Sequence, residues 1–105
     1  MNVQQMTREF KAEVREVKHC LIFLERLAET LETHPTAYHF QLYPTMDGKG
    51  GSGITATVYF TESYAAIDCW GEEKYVHLNI VSCKHFSERA VETVINWFQA
   101  VLEAG

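Results

Sequence analysis

The chain has 105 residues, 47% hydrophobic and 22% charged, with a net charge of −5 and no run of lysine or arginine. Such a length and composition predict one folded domain over residues 1–105. They exclude a disordered chain, a helical membrane span, and a surface built for nucleic-acid phosphates or anionic membranes. Three cysteines (Cys20, Cys69, Cys83) with no CxxC spacing, and five scattered histidines, argue against a disulfide framework and a metal site. The opening MNVQQMTREFK lacks the apolar stretch of a signal peptide, so the cytoplasm is the expected compartment.

Along the chain, Phe10, Val14, Val17, Leu21, Leu24, Ala28 and Leu31 recur at steps of three and four. That period predicts one long amphipathic helix from Thr7 to about Thr33, with Thr7 as its N-cap. His34-Pro35 stops it, because the residue before a proline is pushed out of the helical region. Thr36 to Tyr43 reads as a strand, and the glycine-rich Asp47 to Gly53 as a hairpin connection, since it lacks the Gly-Lys-Ser/Thr ending of a phosphate loop.

Three further strands alternate with period two. Ile54, Ala56, Val58 and Phe60 oppose Thr55, Thr57 and Tyr59; Ala65, Ile67 and Cys69 oppose Tyr64, Asp68 and Trp70. Val76, Leu78 and Ile80 oppose Tyr75, His77, Asn79 and Cys83. Ser87 to about Glu103 is a second helix, capped by Ser87, with Val91, Val94, Ile95, Phe98, Val101 and Leu102 on one side. The expected architecture is an α+β two-layer sandwich: an antiparallel four-stranded sheet with both helices on its greasy face. The other face, rich in aromatic and polar residues, is left for a ligand or a partner.

Ser52-Gly53, Thr61-Glu62-Ser63, Ile67, Trp70-Gly71-Glu72, Tyr75, Asn79 and Ser82-Cys83 together carry a pattern. In it the chain resembles the small bacterial and archaeal S-adenosylmethionine decarboxylases, over about Tyr38 to Phe98. Members of that family show Ser-Glu-Ser-His, then Ile-His-x-Trp-Pro-Glu, then a strand ending in Thr-Cys-Gly, and the spacings match without a gap from Gly53 to Cys83. The resemblance implies self-cleavage between Glu62 and Ser63, with Ser63 becoming a pyruvoyl cofactor. That ketone would draw off electrons as carbon dioxide leaves S-adenosylmethionine, a step toward spermidine. It also implies Cys83 as proton donor, Thr55 as a hydroxyl assisting processing, Trp70 and Tyr75 as substrate contacts at the adenine, and Glu72 as a partner of the ribose hydroxyls. A homodimer or higher homo-oligomer, with polar sheet faces contributing to the site, is expected.

This sequence departs from the family pattern at three places. The histidines expected at positions 64 and 68 are Tyr64 and Asp68. The family also opens with a strand and has another after its last helix, whereas here the opening reads as helix and the sequence ends at Gly105. Imidazole carries protons near neutrality better than a carboxylate does. If the turn is Gly71–Lys74, cross-strand pairing sets Asp68 opposite His77, and the pair supplies the imidazole from a neighbouring strand.

Each of these residues also has an ordinary structural role open to it. Ser63 can be a turn serine, Cys83 an inert thiol, Trp70 and Tyr75 filler between two sheets, and Glu72-Glu73 a solvated turn. Two further functions therefore stand beside the first. One is an unprocessed, non-catalytic homologue that binds a nucleoside or amine ligand or regulates a true decarboxylase. The other is a pyruvoyl decarboxylase of another amino acid.

Overall fold

The computed structural model describes residues 2–44 and 52–105. Asp47 to Gly51, most of the expected hairpin connection, lie outside the described residues. The elements are β1 (Gln4–Phe10), α1 (Val17–Thr30), β2 (Ala37–Pro44), β3 (Ser52–Tyr59), β4 (Tyr64–Trp70), β5 (Tyr75–Ser82) and α2 (Glu88–Ala104). The strands form one five-stranded sheet in the order β1-β5-β4-β3-β2, with every neighbouring pair antiparallel.

The expected alternation holds in β3, β4 and β5. Ile54, Ala56, Val58, Ala65, Ile67, Cys69, Val76, Leu78 and Ile80 are all buried in the core. There they meet the apolar stripes of the helices, Cys20, Phe23, Leu24 and Leu27 from α1 and Val91, Val94, Ile95 and Phe98 from α2. Phe23 and Phe98 lie with ring centroids 4.9 Å apart, and Phe10 joins them at 6.0 and 6.4 Å. Ser87 caps α2 as expected, its side chain accepting from the Ala90 N–H at 3.1 Å.

The opening of the chain differs from the expected helix. Residues 4–10 form a fifth strand that pairs with β5 residue for residue, from Gln4 opposite Ser82 to Phe10 opposite Val76. Without β1, the edge of β5 would present a row of unpaired backbone groups. Thr7 is therefore no cap. The residue before α1 is Glu16, extended and without a side-chain capping bond. Within β1, Met6 is buried and Gln5, Thr7 and Glu9 are exposed, a period of two that the longer helical period had masked. Gln4 fastens the strand through Phe86: its Nε2 donates to the Phe86 carbonyl and its Oε1 accepts the Phe86 N–H, both at 3.0 Å. Arg8 pairs with Glu88 and Glu92 on α2.

The first helix also stops earlier than His34-Pro35 requires. Glu32 takes a left-handed φ of 55°, and the N–H groups of Glu32 and Thr33 return to the carbonyls of Glu29 (3.1 Å) and Ala28 (3.0 Å). This Schellman closure ends the helix without help from the proline.

Between β1 and α1 the chain crosses beneath the β4–β5 turn. A Cβ on Gly71 would stand 2.9 Å from the Val14 carbonyl oxygen and 2.7 Å from Arg15 Cγ. The arginine stem can swing away but the backbone carbonyl cannot. Gly71→Ala is expected to destabilise the protein by about 1–3 kcal/mol, the usual cost of overpacking, measured by urea denaturation. An unchanged midpoint would mean that the crossing segment is free to move.

Candidate active site

The face of the sheet away from the helices is built from rows of cross-strand neighbours. One row runs Thr55, Asp68, His77, Glu9 across β3, β4, β5 and β1. The Thr55 hydroxyl donates to Asp68 Oδ1 at 2.7 Å, and His77 Nδ1 lies 3.6 Å from Asp68 Oδ2. The turn is Gly71–Lys74, with the Glu73 N–H bonded to the Trp70 carbonyl at 3.1 Å and the Lys74 N–H to that of Gly71 at 3.2 Å. That turn sets the register in which Asp68 opposes His77. Here a hydroxyl, a carboxylate and an imidazole stand within reach of one another, half-buried, on three adjacent strands. Thr55 and Asp68 are hydrogen-bonded, and His77 stands just beyond hydrogen-bond distance of the same carboxylate.

A second cluster sits at one end of the sheet, where β3 turns into β4 and β5 ends. The Phe60 N–H bonds the Ser63 carbonyl at 2.8 Å, closing the Phe60–Ser63 turn. Ser63 Oγ donates to Ser82 Oγ and accepts the Cys83 N–H, each at 3.3 Å. Ser82 Oγ in turn donates to the Lys84 carbonyl at 2.6 Å and accepts the Lys84 N–H at 3.0 Å. Ser63 therefore meets the Cys83 backbone N–H, and Glu62 is exposed beside them. Ser82 is a contact that the motif left without a role. Its signal was available in the sequence, since it is a polar residue in the buried phase of β5.

At the opposite end Trp70 and Tyr75 are cross-strand partners with ring centroids 5.5 Å apart, and Glu72 is exposed in the adjoining turn. Tyr75 is held above the ordinary tyrosine range, first by a hydrogen bond to Glu9. Glu9 was missed by sequence reasoning because it lay in a segment read as helix. Ser63 stands five residues before Asp68 and seven before Trp70, about 16 and 23 Å along the strand at ~3.3 Å per residue. Within one chain, Ser63 and the Thr55–Asp68–His77 row are thus apart.

The remaining thiols are structural. Cys20 and Cys69 are buried against each other between α1 and β4. The Cys69 thiol is pushed well above the usual range by its hydrogen bond to Cys20 and by burial, so it stays protonated.

Compared with known families, residues 2–104 match the model of S-adenosylmethionine decarboxylase. The chain belongs to that family. No curated protein matches it. The family match covers β1 as well as the later motifs. The fold expected from the resemblance is the one observed, with five strands in place of the expected four. Among the described residues no helix is long and apolar enough to cross a membrane.

Proposed function

We propose that this member of the family is a pyruvoyl-dependent decarboxylase of S-adenosylmethionine, acting in the supply of aminopropyl groups for spermidine, and cutting itself between Glu62 and Ser63. The observation that carries this reading is the meeting of Ser63 Oγ with the Cys83 backbone at the sheet's end. The residues present fit a pyruvoyl group formed from Ser63. The cut would fall inside the Phe60–Ser63 turn and leave the β3–β4 ladder, from Gly53–Trp70 to Tyr59–Tyr64, fully paired. A ketone there supplies an electron sink for the bond to the departing carboxylate.

The rest is work for the chain's own side chains. Ser63 Oγ attacks the Glu62 carbonyl carbon and gives up its proton to a base, so that an ester replaces the peptide bond. Loss of the Ser63 α-proton then expels the Glu62 carboxylate, and the resulting dehydroalanine takes up water and releases ammonia. The proton on Ser63 Oγ points to Ser82, itself a neutral hydroxyl, so the base must come from elsewhere. Asp68, bonded to Thr55 and backed by His77, is a suitable base, but about 16 Å away in the same chain. If Asp68 acts on Ser63, the carboxylate must come from a second copy whose open face meets the sheet end where Ser63 and Ser82 bond. The exposed Tyr59 (45%), Tyr64 (40%) and Trp70 (46%) on that face support the same arrangement. Cys83 of the shared site would return a proton to the decarboxylated carbon, while Trp70, Tyr75 and Glu72 bind the nucleoside.

The test is the intact mass of the purified protein. Two fragments divided between Glu62 and Ser63, the second blocked by a pyruvoyl group, are expected, with carbon dioxide released from S-adenosylmethionine in preference to a panel of amino acids. One observation favours a second reading, an uncut homologue that binds a nucleoside: in a lone chain Ser63 donates to no base. A single uncut mass with calorimetric affinity for S-adenosylmethionine would select it.

Ser82 orients the nucleophile, so Ser82→Ala is expected to slow processing about tenfold, the worth of one hydrogen bond of ~1.4 kcal/mol. Ser82→Thr keeps the hydroxyl and should restore the rate, as followed by gel and mass spectrometry after synthesis.

A further inference from the structure

Glu9 has no part in the chemistry above, yet β1 delivers it to the site. It is the cross-strand partner of His77 on the open face. Tyr75 lies two residues earlier on β5, a diagonal neighbour on the same face within reach of a long side chain. Glu9 is also the first cause that raises the Tyr75 phenol above its ordinary range. On its other side the Tyr75 ring packs at 5.5 Å against Trp70, and the two rings with Glu73 line an open cleft of about 380 Å³. Tyr75 thus has the Glu9 carboxylate as a diagonal neighbour on one side and an aromatic ring along its flank. A phenol on an exposed strand is otherwise free to turn about two side-chain torsions, and a fixed acceptor removes that freedom.

We propose that Glu9 is a positioning residue: its carboxylate accepts the Tyr75 hydroxyl and holds that ring against Trp70, keeping the aromatic cleft in the shape that receives the nucleoside. Its importance for a ligand rests on the reading of Trp70 and Tyr75 as nucleoside contacts, whereas the Glu9–Tyr75 contact itself does not.

Four groups bear on Tyr75: Glu9 from β1, Asp68 and Trp70 from β4, and Glu73 from the turn. A carboxylate that accepts from the neutral phenol and repels the phenolate favours the protonated form, so removing it must lower the pH at which Tyr75 ionises. The experiment compares Glu9→Gln, Glu9→Ala and Trp70→Ala with the unaltered protein in two ways. Tyr75 ionisation is followed by NMR of ring-carbon-labelled tyrosine, assigned with Tyr75→Phe. Affinity for methylthioadenosine, the nucleoside part of the substrate without its amino acid, is followed by calorimetry.

Tyr75 is expected to ionise at lower pH in Glu9→Ala, with Glu9→Gln between the two because the amide keeps an acceptor. Affinity should fall roughly fivefold in Glu9→Ala, the worth of one hydrogen bond, and less in Glu9→Gln. If the protein turns over S-adenosylmethionine, KM should rise with kcat unchanged. A Tyr75 titration that ignores Glu9 overturns the proposal. So does an affinity that Trp70→Ala weakens and Glu9→Ala leaves intact. No methylthioadenosine binding by the unaltered protein would instead remove the nucleoside reading, while the titration still decides whether Glu9 holds Tyr75.

Discussion

Replacing Ser63 by alanine is expected to leave a single uncut polypeptide and to lower decarboxylation on the order of 10⁶-fold, as loss of an essential nucleophile does elsewhere. The substitution removes the only atom that can attack the Glu62 carbonyl from within the scissile residue. It removes little else. The hydroxyl's partners are Ser82 and the Cys83 amide, and losing these contacts costs about 1–1.5 kcal/mol each. The altered protein should therefore fold, and its melting temperature should lie within a few degrees of the parent. Intact mass and carbon dioxide release from carboxyl-labelled substrate read the two outcomes separately. Cleavage that persists in Ser63→Ala would displace the proposed site altogether. Ser63→Cys keeps a nucleophile and is expected to cut slowly, which separates lost chemistry from lost shape.

The second large effect concerns Asp68. Asp68→Ala should slow cleavage by roughly 10²–10⁴, the range for removing a general base. Asp68→Asn keeps an acceptor for the Thr55 hydroxyl and cannot take up a proton, so it should be nearly as slow. The informative experiment mixes two defective chains. A chain carrying Asp68→Ala retains Ser63, and one carrying Ser63→Ala retains Asp68. If the serine of one copy is served by the carboxylate of another, co-expression should restore cutting of the Asp68→Ala chain. Failure to restore it, in assemblies shown by mass to contain both chains, would confine the machinery to one polypeptide. Asp68→Ala cutting at the normal rate on its own would take Asp68 out of the mechanism.

Much of this was legible in the residues. The strict alternation of β3, β4 and β5 follows from one buried and one open face, and every residue of the greasy phase is in the core. The Asp68–His77 pairing followed on the condition of a Gly71–Lys74 turn, since a one-residue slip would have put the two on opposite faces, and the turn is the one observed. Ser63 and Cys83 were found by motif, and their contact is local to the ends of two paired strands. β1 was not legible. Phe10 and Val14 fit the helical stripe as well as they fit an alternating strand, and no glycine or proline separates residues 10 and 17. What makes residues 4–10 a strand is the edge of β5, more than sixty residues away, and a local period carries no trace of it. Glu9 was lost with it, because a residue on the wrong element cannot be assigned to a face.

The pairing of Gln4 with Ser82 also orders events during synthesis. Until β5 has left the ribosome, the opening segment has no neighbour to bond. The Glu9 carboxylate can therefore take its place opposite His77 only after β5 has been made.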